Sequence, residues 1–190
     1  MENTAEISGY ILAGGKSSRM GTNKALLLVN NEPLLIRAKN LLEPFCEKIA
    51  ISGQDSDYEN LSIAMVPDLY AGCGPVSGIL SSLKHSNTDW NLFISVDTPF
   101  VNEELLHSLI SQIGQFDCII PEHEGGIEPL IGLYNRTILP LLEETINQGD
   151  YKLQRILSKL NTCYVDCNLL IEKYPRLFFN VNHPADFNSI

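Results

Sequence analysis

The chain is predicted to be an α/β protein, a three-layer α/β/α sandwich around a mostly parallel central sheet. Three observations carry that prediction. Runs at 7–13, 48–52, 62–66, 91–96, 117–120 and 130–134 are apolar, and several are rich in β-branched residues, as strands covered on both faces must be. Segments at 33–45, 75–85 and 102–113 repeat their apolar residues at the helical period. The two kinds of segment alternate, which is the order of strand–helix–strand crossovers.

In chain order, the first run ends in Tyr10-Ile11-Leu12-Ala13 and empties into a loop holding Gly14, Gly15, Lys16, Ser17, Ser18, Arg19, Gly21 and Lys24. Helix 33–45 opens on Pro33 in its first turn and sets Leu34, Leu35, Ala38, Leu41 and Leu42 on one face. Strands at 48–52 and 62–66 follow, the second running into Pro67-Asp68. Helix 75–85 again opens on a proline and turns Val76, Ile79, Leu80 and Leu83 inward. Strand 91–96 runs into Asp97-Thr98-Pro99-Phe100. Helix 102–113 has Asn102 as cap and Glu103 and Glu104 in its first turn, where carboxylates suit the helix dipole. Beyond about Pro121 the alternation loosens into a strand at 130–134, helices at 136–147 and 153–160, and short strands near Cys163 and Phe178. Residues 1–190 are read as a single domain, with 122–190 an elaboration on the sheet edge.

A chain of 190 residues buries roughly 70% of its unfolded surface, enough for a core without staples. Its 44% hydrophobic and 19% charged residues exclude disorder and fibrous classes. The apolar runs are too short to span a bilayer, and residues 1–6 carry acids where an export signal would carry cations, so a cytoplasmic setting with no membrane contact is expected. The five cysteines form no CxxC pair and read as reduced thiols; the four histidines supply no partners at zinc-ligand spacing. His123, between Glu122 and Glu124, is read as part of a mobile polar loop. A net charge of −10 disfavours nucleic acid, so any phosphate must be held locally.

Open parallel sheets bind ligands beyond the carboxyl ends of their strands. Three features fall there: the glycine loop, Asp68 with the following Gly74-Pro75-Val76-Ser77-Gly78, and Asp97. Glycines let successive backbone N–H groups converge on an anion, and Arg19 and Lys24 add charge, Arg as a planar bidentate donor and Lys as a mobile point charge. The loop does not spell Walker A, because Gly21 is followed by Thr22-Asn23-Lys24, nor GxGxxG, because Arg19 stands where the last glycine would be. Kinase and dehydrogenase chemistry are both disfavoured.

The remaining spelling, Leu12-Ala13-Gly14-Gly15-x-Ser17-x-Arg19-Met20-Gly21-x-x-Lys24 with Pro33-Leu34 after it, resembles the signature of nucleotidyltransferases of the Rossmann-like, glycosyltransferase-A-like fold. Val66-x-Asp68, Gly74-Pro75-x-x-Gly78, Asp97-Thr98-Pro99-Phe100 and Asn180-Val181-Asn182-x-Pro184 make it most similar to the molybdenum cofactor guanylyltransferases of the MobA type. The resemblance implies transfer of GMP from MgGTP to the molybdenum–molybdopterin cofactor, with residues 7–121 as nucleotide-binding part and 122–190 on the acceptor side. Molybdoenzyme maturation proteins are further expected partners.

It implies Leu12, Ala13, Gly14, Gly15, Lys24, Asp68 and Asp97 as nucleotide-binding residues, and Arg19, Lys24 and Asp97 as the catalytic set. Asp97 would hold Mg²⁺, with Mn²⁺ as a substitute; a lone carboxylate suits an ion that keeps several waters. Asp68 would contact base or ribose. Asn180 and Asn182 would share one side of an extended segment and reach the acceptor or metal-bound water. Lys152 and Arg155 are read as surface cations. The spellings Val76-Ser77 and Ser52-Gly53-Gln54 depart from the guanylyl pattern, which keeps open cytidylyl transfer, transfer to a sugar phosphate, and a non-catalytic nucleotide-binding or cofactor-delivery module.

Overall fold

A computed structural model describes residues 5–14 and 23–181. In chain order its elements are β1 (Ile7–Leu12), β2 (Leu28–Val29), β3 (Glu32–Pro33), α1 (Leu34–Leu42), β4 (Lys48–Ser52), β5 (Ala64–Val66), α2 (Pro75–His85), β6 (Trp90–Ser95) and α3 (Glu103–Ile110). Then come β7 (Cys118–His123), β8 (Gly126–Ile127), β9 (Gly132–Asn135), α4 (Leu139–Asn147), α5 (Leu153–Leu157), β10 (Thr162–Asp166) and α6 (Asn168–Lys173). The main sheet runs β10-β7-β9-β6-β1-β4-β5, with β8 on β7. The β1–β4, β1–β6, β4–β5 and β7–β10 pairs are parallel; β9 is antiparallel to both neighbours and β8 to β7. All main strands except β9 therefore end at the same edge.

Strand alternation divides the core between the two faces of the sheet. Ile7 and Ile11 of β1 and Trp90, Leu92 and Ile94 of β6 pack with Leu34, Leu35 and Leu42 of α1 and Leu105, Leu106 and Leu109 of α3. Tyr10 and Phe93 point the other way, into a layer with Val76, Ile79, Leu80 and Leu83 of α2 and with Leu142, Ile146, Ile156 and Leu157 of α4 and α5. There Tyr10 stacks on Phe93 at 5.3 Å and Tyr134 meets Phe93 edge-on at 5.4 Å. The expected three layers are present.

Several boundaries differ from expectation. The sixth strand-like run is Gly132–Asn135 rather than 130–134, and it is reversed. The third begins at Ala64, because Ser62 takes the left-handed conformation at φ 53°. Helices α1, α3 and α5 each stop three residues early. The predicted 136–147 helix opens with a 3-10 turn, Arg136–Ile138. No strand forms near Phe178: Leu177 N–H bonds the Tyr174 carbonyl and Phe179 N–H the Arg176 carbonyl, so the chain turns there. Helix α6 and the β2–β3 hairpin lack the long periodic pattern by which the others are recognised.

Candidate nucleotide site at the carboxyl edge of the sheet

Pairing continues past the strand ends. Val96 N–H bonds the Leu12 carbonyl (3.1 Å), Ala13 N–H the Ser52 carbonyl (3.2 Å) and Gly53 N–H the Val66 carbonyl (2.9 Å), so four chain segments leave the sheet side by side. Gly53 takes φ 125°, and a Cβ there would stand 3.3 Å from Gly14 Cα. A Cβ on Gly14 would lie 3.6 Å from the Ser52 carbonyl and 3.9 Å from Asp68 Oδ2. One on Gly78, in α2, would lie 2.7 Å from Ser52 Oγ and 3.5 Å from both Asp68 Oδ1 and Leu12 Cδ2. Leu12, Gly14, Ser52, Asp68 and Gly78 thus converge.

Asp68 is held by its neighbours. Leu69 N–H bonds Ser81 Oγ (2.9 Å), Tyr70 N–H bonds Ser77 Oγ (3.2 Å), and Ser81 Oγ donates to the Ser77 carbonyl (2.7 Å). The unexpected Ser77 therefore uses its hydroxyl to fix the loop behind Asp68. Partial burial raises the Asp68 pKa.

Asp97 leaves β6 in a tight turn. Thr98 Oγ1 donates to the Ser95 carbonyl (2.9 Å), Asp97 N–H approaches Ser95 Oγ (3.4 Å), and Arg37 Nε from α1 donates to the Pro99 carbonyl (2.7 Å). Burial raises the Asp97 pKa and the Lys24 charge pulls it part of the way back. Lys24 opens a 3-10 turn, Lys24–Leu26, capped by Asn23 Oδ1 on Ala25 N–H. Its Nζ donates to the Val181 carbonyl (3.4 Å), while Val181 N–H bonds the Asp97 carbonyl (2.8 Å). One C-terminal residue thereby brings together two groups far apart in sequence. Val181 is 1% exposed and Asn180 beside it faces outward. The Asp97 carboxylate, a hard oxygen donor that accepts no hydrogen bond from a described residue, fits a divalent cation with a largely aqueous shell. Gly15, Arg19 and Asn182 lie outside the described residues.

On the far side of the edge, the segment expected to be a mobile polar loop is the β7–β8 hairpin. His123 Nε2 meets Glu128 Oε1 at 3.2 Å, its Nδ1 accepts from Gly125 N–H, and its ring stacks on Phe178 at 5.1 Å. Arg155 pairs with Asp150 at 3.6 Å, and Lys152 is exposed. Sequence reasoning missed Arg37 and Tyr58. Tyr58 is 3% exposed, and its hydroxyl donates to Asn23 Oδ1 at 2.9 Å. Neither residue carries a local signal, because each acts on a partner dozens of positions away.

A parallel sheet that gathers a glycine-lined cleft, a lysine and a lone carboxylate at one edge, without a Walker loop, is the framework of a nucleotidyltransferase. The chain belongs to the MobA-like NTP transferase domain family, which it matches over residues 9–163. It is 34% identical over 155 residues to the probable molybdenum cofactor guanylyltransferase of Flavobacterium johnsoniae, covering 81% of this chain and 82% of that protein. It is 31% identical over 191 residues to the molybdenum cofactor guanylyltransferase of Vibrio parahaemolyticus, covering 98% and 95%. Among solved structures it resembles molybdopterin-guanine dinucleotide biosynthesis protein A from Archaeoglobus fulgidus, with a TM-score of 0.79 and 28% identity over 96% of this chain and 95% of that one.

Proposed function

We propose that this chain transfers GMP from MgGTP to the molybdenum–molybdopterin cofactor, leaving molybdopterin guanine dinucleotide and pyrophosphate. A phosphate oxygen of the acceptor forms the new bond to the α-phosphorus, the bond from α-phosphorus to the bridging oxygen breaks, and pyrophosphate departs with that oxygen. The carrying observation is the convergence of Lys24 and Asp97 on Val181, next to the cleft of Gly14, Asp68 and Gly78.

In this reading, Lys24 exchanges its Val181 contact for triphosphate oxygens, and Arg19 joins it on the strength of the family resemblance. The backbone of Leu12, Ala13 and Gly14, with Asp68, orients the nucleoside. Asp97 holds the cation. When bound, Mg²⁺ neutralises phosphate charge as it develops on the leaving group. Asn180 faces the acceptor, with the β7–β8 hairpin on the same side, and Asn182 is assigned to it on the strength of the family resemblance alone; residues 122–190 are the acceptor-side part of one domain. A cytoplasmic setting belongs to the proposal and is supported by five unpaired cysteines.

Incubation with Mg²⁺, molybdopterin carrying molybdenum and each NTP in turn tests the reading. Pyrophosphate release is expected with GTP. Release with CTP alone would reassign the base, and binding of GTP without release would leave a cofactor-delivery module.

A further inference from the structure

We propose that the Tyr58 hydroxyl is a positioning group, holding the turn that carries Lys24 in register with the carboxyl end of β1. Tyr58 lies in the 3-10 segment Ser56–Leu61 between β4 and β5, its ring buried in the layer shared with α1. Only its oxygen reaches the site. That oxygen has one proton to give and two acceptors in range: Asn23 Oδ1 at 2.9 Å and, less closely, the Ala13 carbonyl at 3.4 Å. Ala13 follows β1, and Asn23 immediately precedes Lys24.

Asn23 is held from all sides. Its Oδ1 also accepts Ala25 N–H at 3.2 Å, which caps the Lys24 turn, and its Nδ2 approaches Asp57 Oδ2 at 3.4 Å. Oδ1 must therefore face the tyrosine, and the tyrosine must be the donor. Burial first, then the negative charges of Asp55, Asp57 and Asp97, push the Tyr58 pKa up against the opposing Asn23 hydrogen bond, so the donor proton stays in place at neutral pH. Lys24 is a flexible side chain, and the direction of its Nζ depends on the backbone that carries it. Tyr58 fixes that backbone from a rigid core position, and a small misplacement in such a site is costly. The inference rests on the reading that Lys24 and the end of β1 hold the triphosphate.

Tyr58→Phe keeps the ring and removes only the hydroxyl. Two measurements on the full chain test it: hydrogen exchange at the amides of Ala25, Leu26 and Leu27, and calorimetric titration with MgGTP. In the variant we expect faster exchange at those amides and an affinity for MgGTP about fivefold weaker, the loss of one neutral hydrogen bond. Asn23→Ala combined with Tyr58→Phe should weaken MgGTP binding by less than the product of the two single effects, because both break the same link. Unchanged exchange overturns the proposal. So does faster exchange with unaltered affinity in a protein whose parent binds MgGTP. Should the parent not bind MgGTP, the functional reading fails, and the exchange result alone decides whether Tyr58 orders the Lys24 turn.

Discussion

Asp97 is a carboxylate that the protein partly removes from water and only partly compensates with Lys24, so its folded pKa stands above the ordinary 3.8. A carboxyl raised in this way binds more protons folded than unfolded. Its stabilising contribution is complete below the unfolded pKa and is lost as pH rises through the folded one. At pH 7 the ionised group therefore weighs against the ligand-free fold. Asp97→Asn should raise the melting temperature at pH 7, with the gain shrinking as pH falls toward 3.8, while pyrophosphate release is abolished. Calorimetry across pH checks the first part; a lower melting temperature at pH 7 would contradict it. Ser52 makes a parallel case. Its Oγ is buried without a hydrogen-bond partner among the described residues, and it stands 2.7 Å from where a Gly78 Cβ would be. Ser52→Ala should leave stability equal or higher by about 1 kcal/mol in a urea titration, since an unpaired buried hydroxyl is being removed. Gly78→Ala should weaken MgGTP binding, and Ser52→Ala in the same chain should restore part of it. No restoration would mean that Gly78 is required for space over the ligand rather than over Ser52.

Among the elements, α1 does more than cover the sheet. Beside an open pocket of about 360 Å³ bordered by Leu34, Arg37, Val96, Pro99 and Val101 lies the turn after β6. The Arg37 hydrogen bond to Pro99 is its strut. Arg37→Ala should lower stability by about 1.5–3 kcal/mol, the range for a hydrogen bond with a charged partner, and raise the Mg²⁺ concentration needed for half-maximal pyrophosphate release. Arg37 also approaches Glu32 at 3.7 Å, but such a half-exposed pair contributes little. Unaltered Mg²⁺ dependence would confine Arg37 to packing. The helix itself was legible: Leu34, Leu35, Ala38 and Leu42 have the spacing of a buried face, and all four are buried. The position of Asp97 was legible too, as an acid soon after a mostly apolar buried strand. The strut was not, because a hydrogen bond across 62 positions leaves no mark on local periodicity. The reversal of β9 was hidden for a related reason. A strand of four residues reads the same in either direction, and only its partners decide.

The whole molecule is knit by its C-terminal segment, which ties the two parts of the sheet together over the site. After β10 at the sheet edge, Lys173 and Tyr174 hold Glu104 of α3, and Arg176 lies over Phe100 at 4.1 Å. Leu177 enters the core, Phe178 stacks on His123, and Val181 joins Asp97 to Lys24. The Asn-Val-Asn spelling placed function here, but the sequence could not show that the valine is the anchor, since its partners lie across the whole chain. Val181 is buried and Asn180 beside it is exposed, so the asparagine is the residue of this pair that stays in contact with solvent. Shortening the chain after Phe179 keeps Leu177 and the His123 stack but removes Asn180 and the Val181 bridge. Lys24 and the cleft of Gly14, Asp68 and Gly78 stay, so MgGTP should still bind within about tenfold of the full chain, whereas transfer should fall by about a hundredfold or more because the acceptor is no longer aligned. Titration with MgGTP and pyrophosphate release measured on the same preparation separate the two effects. Equal losses in both would place the segment on the nucleotide and leave acceptor alignment to the β7–β8 hairpin alone.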